Sequence, residues 1–103
     1  MIKVVNKKYF DGAGTYTYIG RPSVLGNPYK IGVDGDRDTV ISKYRVWLRS
    51  QWLKDGEVKK ELLRLAGISN RHDLMLVCFC SPLPCHGDVL KEAIEKIAHT
   101  LTE

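Results

Sequence analysis

The chain has 103 residues, of which 44% are hydrophobic and 27% charged. These values fit a single domain (1–103) with a modest core and exclude a disordered or low-complexity chain. The longest apolar run is too short to span a membrane and residues 1–8 form no apolar leader, so we expect a cytoplasmic protein without a membrane partner.

Two short strands are expected first. Residues 2–6 are rich in β-branched side chains and are followed by lysines, which favours an edge strand. Residues 15–19 have the most β-prone composition in the chain and end at Gly20. The glycine-containing break at 11–14 suggests that the two strands pair as a hairpin.

A loop with two prolines and three glycines follows at 20–32. Arg21 offers a planar guanidinium suited to a carboxylate or phosphate. Gly26 can take a positive φ, and the proline after Asn27 makes that residue extended, leaving its amide free to reach a ligand or cap a backbone group. The alternatives are a surface ion pair for Arg21 and a turn-forming role for Asn27. The candidate ligand-binding residues of this loop are Arg21, Pro22, Gly26, Asn27 and Tyr29.

Two amphipathic helices are expected next. The acidic cluster at 34–38 can cap a helix running from about Thr39 to Lys54. Its apolar residues recur every three to four positions, as in a half-buried helix, and are Val40, Ile41, Tyr44, Trp47, Leu48 and Trp52. A second helix is predicted from Glu57 to Ala66, with Gly67 as its C-terminal cap. The two helices together form the long crossover that parallel strands require.

The predicted centre of the domain is a strand, a turn and a helix beginning at Leu74. The apolar run Leu74–Cys80 lacks polar alternation, which is typical of a central strand buried on both faces. A helix beginning around Gly87 carries a continuous apolar face and should pack onto the sheet. Because α/β proteins place ligands at the carboxyl ends of their strands, we expect the 80–88 turn and the 21–29 loop to converge there.

The turn combines thiols, an imidazole and a carboxylate. Three cysteines lie close together, and their odd number favours reduced thiols. Cys80, Cys85 and His86 are suitable zinc ligands, but no second Cys/His pair exists to complete a structural site, so a three-ligand zinc is kept only as an alternative and no metal or cofactor is predicted. Cys85 as a nucleophile activated by the helix N-terminus and by His86 is another alternative.

Recognition of a phosphorylated ligand accounts for more of these residues. The amides of the last helix could hold an anion, with Gly87 permitting close approach and His86 and Arg21 adding donors. The net charge of +4 suits such a ligand, although it could equally reflect a solvated surface. The purely structural alternative is that the prolines shape the turn, Asp88 caps the helix and the cysteines are small buried hydrophobes. The candidate ligand-binding residues of the turn are Cys80, Cys85, His86 and Gly87.

Two motifs resemble a bacterial and phage family known as domain of unknown function 4326. They are Tyr-Ile-Gly-Arg-Pro with Gly-Asn-Pro-Tyr at 18–29, and Cys-Ser-Pro-Leu-Pro-Cys-His-Gly-Asp-Val-Leu at 80–90, separated by the helix at 37–48. The resemblance implies that Arg21, Asn27, Cys85, His86 and Asp88 belong to one signature. At the level of fold, the chain is also similar to Rossmann-like domains that sense ADP-ribose-type signals or cleave N-glycosidic bonds.

The sequence therefore predicts a single compact Rossmann-like α/β domain with a small, mostly parallel sheet flanked by three helices. Our leading hypothesis is a protein that binds a nucleotide-derived or phosphorylated small molecule, for example a phage protein that sequesters a host signal. One alternative is a nucleotide-processing enzyme, an N-glycosidic hydrolase or transferase with His86 or Asp88 as acid or base. Another is a nucleic-acid-binding protein that uses its basic helices. A homo-oligomer is compatible with each hypothesis.

Overall fold

A parallel sheet forms one layer of the protein. The computed structural model describes residues 1–102, in which the strands are β1 (Ile2–Asn6), β2 (Thr15–Tyr18) and β3 (Leu74–Cys78). The strand order is β1-β3-β2, and both outer strands run parallel to β3. β3 is therefore the central strand and β1 lies at an edge, as predicted.

The predicted hairpin between the first two strands is wrong. β1 and β2 each pair with β3 and not with one another. All residues of β3 except Met75 are buried. A hairpin would have left this most apolar strand at an edge, with one row of its backbone N–H and C=O groups unpaired.

Three helices form the second layer. They are α1 (Arg37–Trp52), α2 (Glu57–Ser69) and α3 (His86–Leu101). None of the helices within residues 1–102 has the length and apolar character needed to cross a membrane.

The ends of α1 and α2 differ from the predicted ones for local reasons. α1 lies two residues nearer the N-terminus than expected, because the Asp36 side chain accepts a 2.8 Å hydrogen bond from the Thr39 amide and caps the helix. α2 continues through Gly67, which was predicted to end it. The amide of Asn70 donates to the carbonyl of Ala66, so the helical ladder passes Gly67 without interruption.

All three helices pack against the same face of the sheet. One hydrophobic cluster joins alternate strand residues to the apolar faces of the helices, and it includes Ile2, Leu74, Leu76 and Cys78 from the strands with Tyr44, Leu48, Leu62, Leu65, Leu90 and Ile94 from the helices. The Cα atoms extend only 19 Å along the shortest principal axis, as expected for one sheet layer and one helix layer. The fold is therefore a two-layer α/β domain, Rossmann-like in its parallel strands and helical crossover.

The connection between β1 and β2, residues 7–14, passes β3 on the face opposite the helices. The ring of Phe10 packs edge-on against Tyr16 with centroids 4.9 Å apart. The amine of Lys7 lies 5.1 Å from the ring centroid of Tyr18. Tyr16 and Tyr18 alternate along β2 with the residues that face the helices, so the two tyrosine side chains lie on the opposite face of the sheet. Because this connection contains no helix, the second face of the sheet has no helical cover.

Candidate functional site

A cleft of about 560 Å³ opens at the carboxyl edge of the sheet. It lies between the loop that follows β2, the turn that follows β3 and the first turn of α1. The 21–29 loop and the 80–88 turn thus converge as predicted. The predicted site residues that line the cleft are Arg21, Asn27, Tyr29, Cys80, Cys85 and His86.

Four predicted site residues are not among those that line the cleft: Pro22, Gly26, Gly87 and Asp88. The expected positive φ of Gly26 is wrong. Gly26 serves close packing instead, since a Cβ there would lie 3.1 Å from the Cα of Arg21. Gly87 is likewise buried, and a Cβ there would lie 2.8 Å from Cγ1 of Val4. Both glycines therefore let neighbouring segments approach each other.

The loop that follows β2 is held in place by α1. The side-chain oxygen of Asn27 accepts a 2.9 Å hydrogen bond from the Tyr29 amide, and its nitrogen donates over 3.4 Å to the carbonyl of Val40. Of the three roles expected for Asn27, the contact with the Tyr29 amide matches the turn-forming one and the contact with the Val40 carbonyl matches the capping of a backbone group. The buried hydroxyl of Tyr44 donates over 2.7 Å to the carbonyl of Leu25. The cleft wall is therefore anchored to a helix that belongs to the core.

The turn that follows β3 is tied to two other elements. The side-chain nitrogen of Asn6 donates to the carbonyls of Phe79 at 3.1 Å and Ser81 at 2.9 Å. From the other side, Nη1 of Arg37 donates over 2.9 Å to the carbonyl of Pro84. These contacts connect the turn to β1 and to the start of α1, so that both walls of the cleft are fixed relative to the sheet.

The N-terminus of α3 satisfies its own hydrogen bonds. Cys85 is the N-cap residue, and its sulfur accepts a 3.3 Å hydrogen bond from the Gly87 amide. The Asp88 carboxylate accepts a 3.0 Å hydrogen bond from the Cys85 amide, which completes a capping box. The Asp88 amide donates to the Cys85 carbonyl over 3.1 Å. The helix start expected to bind an anion thus already has partners for the amides of Cys85, Gly87 and Asp88.

The three cysteines are free thiols with different environments. The sulfur atoms of buried Cys78 and Cys85 lie 3.6 Å apart. Either sulfur can donate in this contact, which lowers the pKa of one thiol, Cys78, and together with burial raises the pKa of the other, Cys85. Both thiols are buried, so neither is presented to solvent in the cleft as an exposed nucleophile. Within residues 1–102 no group of three or more His, Cys, Asp and Glu side chains could hold a metal ion, so the zinc alternative has no geometric support.

His86 is a buried histidine that also lines the cleft. Its Nε2 lies 2.6 Å from the carbonyl of Ile19, and because a carbonyl only accepts, Nε2 carries a proton and Nδ1 is the basic nitrogen of the neutral ring. Burial lowers the pKa of His86, and the positive charge of Arg21 lowers it further. The Ile19 hydrogen bond and the charge of Asp88 oppose this change. The cleft therefore contains a neutral imidazole at neutral pH.

The low pKa of His86 predicts a stability change below about pH 6.5, the ordinary histidine value. In that range the unfolded chain takes up a proton that folded His86 resists, so the free energy of unfolding should fall as the pH falls. Chemical denaturation between about pH 7 and pH 5 should show this decrease, and His86→Gln should reduce it. The exposed His72→Gln is the matched control, and an equal pH dependence of wild type and His86→Gln would contradict the assignment.

All charged side chains that line the cleft are basic: Arg21, Lys30 and Arg37. No carboxylate lines it among the residues that the structure describes. Sequence reasoning did not select Arg37 or Lys30. The position of Arg37 could have indicated a functional residue. A basic side chain in the first turn of a helix is unfavourable next to the positive end of the helix dipole, so its presence there suggests a role other than helix stabilisation. Nothing in the sequence distinguishes Lys30 from the surface lysines.

Comparison with known proteins gives one match. The model of a family described as "Domain of unknown function (DUF4326)" matches residues 3–96, which cover most of the chain and both cleft walls. No significant match was found among curated proteins or among solved structures.

Proposed function

The chain belongs to the DUF4326 family, and we propose that its cleft binds a phosphorylated small molecule derived from a nucleotide. The observation that carries this proposal is the charge of the lining, which has three cations and no carboxylate among the described residues. A cleft whose charged side chains are all positive attracts anionic ligands in preference to neutral or cationic ones. The planar guanidinium of arginine matches the geometry of phosphate and can bind it through two parallel hydrogen bonds.

The two arginines have donors free for such a ligand. Arg37 uses Nη1 for the Pro84 carbonyl, while a guanidinium has five N–H donors in all. Arg21 is exposed, yet its charge acts on His86, so these two side chains lie within electrostatic reach of each other. In our proposal the phosphate groups contact Arg21 and Arg37, whereas Nδ1 of His86, which carries no proton, can accept a hydrogen bond from a hydroxyl group of the ligand.

The remainder of the cleft suits a nucleoside. Tyr29 is half-buried in the lining, and the amine of Lys43 lies 5.8 Å from its ring centroid. The aliphatic side chains of Val40 and Ile41 form part of the wall nearby. The volume of about 560 Å³ is ordinary for a small-molecule site, which typically combines apolar walls with a few polar groups. Sequestration of a signalling nucleotide is one role that such binding would serve.

A second candidate, an enzyme that cleaves an N-glycosidic bond, is favoured by one observation. Neutral His86 lines the cleft, and its Nδ1 is the nitrogen that could accept a proton from a water molecule attacking C1′ of the sugar. The C1′–N bond would break with its electron pair going to the base, which would take a proton from solvent. Asp88, the other predicted acid or base, does not line the cleft and accepts a hydrogen bond from the Cys85 amide. Its role in such an enzyme would be to position the start of α3.

Calorimetric titration with nucleoside mono- and diphosphates and ADP-ribose, each beside its unphosphorylated nucleoside, tests the proposal. We expect at least one phosphorylated compound to bind more tightly than its nucleoside. Chromatography after incubation then separates the two candidates, since recovery of unchanged ligand supports binding and release of a free base supports the enzyme. Equal affinity for phosphorylated and unphosphorylated members of every pair would contradict the proposed site.

A further inference from the structure

The face of the sheet turned away from the helices, called here the open face, lies beside the proposed cleft, and of its strand residues Tyr18 also lines that cleft. Its strand residues are Lys3, Val5, Tyr16, Tyr18, Met75 and Val77, which alternate with the residues of the core. Parallel sheets ordinarily carry helices on both faces. Here only the 7–14 connection crosses this face, and Tyr16 remains 52% exposed.

Aromatic rings collect on this side of the molecule. The open face and its connection hold five of the nine aromatic residues, in two edge-to-face pairs and one further tyrosine. Tyr18 pairs with Phe79 at a centroid distance of 5.9 Å, and Phe79 is 61% exposed. Tyr9 is 77% exposed. Side chains two residues apart on a strand are about 6.6 Å apart, so Tyr16 and Tyr18 present rings at successive positions along β2.

The charge beside these rings is positive. Lys3, Lys7 and Lys8 are exposed, and the amine of Lys7 lies 5.1 and 5.5 Å from the two ring centroids of the Tyr18 pair. The carboxylate in the connection, Asp11, accepts a hydrogen bond from the Ala13 amide. Aromatic rings interleaved with lysines complement a ligand that alternates flat bases with phosphates.

We propose that the open face binds single-stranded nucleic acid, with bases stacked on Tyr16 and Phe79 and phosphates held by Lys3, Lys7 and Lys8. A second copy of the chain fits less well, because a two-fold interface on this face would bring the same lysines together. A duplex also fits less well, since its bases are stacked on one another and cannot cover the rings. Phe79 borders the cleft as well, whereas Tyr16 and Lys3 do not line it.

Fluorescence anisotropy with labelled oligothymidylate and oligouridylate of about a dozen nucleotides tests this proposal on the full chain. Tyr16→Leu should weaken binding roughly 5- to 100-fold, and Tyr16→Phe should bind as the wild type does. Lys3→Gln should lower the slope of log affinity against log salt by about 0.7. Leu53→Ala and Lys54→Gln, exposed at the end of α1, are matched controls and should change neither quantity.

Oligonucleotide binding on the open face can be distinguished from nucleotide binding in the cleft. Tyr16→Leu should weaken oligonucleotide binding by the same factor with and without a saturating nucleotide in the cleft, because Tyr16 does not line the cleft. Unaltered binding by Tyr16→Leu, preference for a duplex competitor, or no binding at low salt would overturn the proposal. A dimer in sedimentation that Tyr16→Leu dissociates, without oligonucleotide binding, would assign the open face to a second copy instead.

Discussion

Replacement of both Arg21 and Arg37 by glutamine is expected to weaken the binding of a nucleoside phosphate by about 100-fold or more. A hydrogen bond to a charged group contributes about 1.5–3 kcal/mol, and about 1.4 kcal/mol corresponds to a tenfold change in affinity. Each arginine should therefore account for at least a tenfold part of the effect. Calorimetric titration measures the change, and the matched nucleoside should lose little affinity because it lacks the phosphate.

The control for this prediction is Arg71→Gln, an exposed arginine between α2 and β3 at the opposite edge of the sheet. It removes one positive charge, as each single cleft substitution does, without touching the cleft. Glutamine at position 37 is too short to reach the Pro84 carbonyl as Nη1 of arginine does, so chemical denaturation should accompany the titration to show that the variant is folded. A folded double variant that binds the phosphorylated ligand as tightly as the Arg71→Gln control would refute the placement of the phosphate.

Tyr44→Ala is expected to lower the free energy of unfolding by about 3–5 kcal/mol, the usual cost of removing a buried aromatic ring. The Tyr44 side chain is fully buried, with its ring 5.4 Å from that of Trp47 and 5.1 Å from that of His86. Its hydroxyl also donates to the carbonyl of Leu25. Because a small domain is stable by only about 5–15 kcal/mol, chemical denaturation should show the loss clearly.

Tyr44→Phe isolates the hydroxyl from the ring. It leaves the Leu25 carbonyl without its buried donor, at an expected cost of about 1–3 kcal/mol. It should also weaken ligand binding, because Leu25 belongs to the 21–29 loop whose residues Arg21, Asn27 and Tyr29 line the cleft. Val46→Ala, at a 72% exposed position of the same helix, should change stability by less than about 0.5 kcal/mol. Identical denaturation curves for Tyr44→Phe and wild type would show that this hydrogen bond does not anchor the loop.

The position of the cleft could be predicted because it follows from the order of elements. An apolar strand followed by a polar turn and an amphipathic helix places that turn at the carboxyl edge of a parallel sheet. The other cleft wall, the 21–29 loop, could be predicted because this loop also follows a parallel strand, β2. The contact of His86 with the Ile19 carbonyl brings the two segments together there.

The individual roles of site residues were less predictable, because their partners are distant in sequence. Asn27 could have faced a ligand, but α1 supplies a carbonyl for it. Asp88 appeared available as an acid or base, but its capping box uses the carboxylate. Arg37 was read as part of a helix start, and only the approach of α1 to the Pro84 turn brings it into the cleft wall.

The sequence by itself determined the kinds and approximate bounds of the helices and strands, and it placed an acidic capping cluster before α1, from which the structure selects Asp36. These features depend on periodicity and on hydrogen bonds that span three or four residues. Only the tertiary structure decided that β1 and β2 each pair with β3 and not with one another, and that the helices lie on one side of the sheet. Strand pairing and layer order depend on contacts between residues tens of positions apart, and those contacts create both the cationic cleft and the open face.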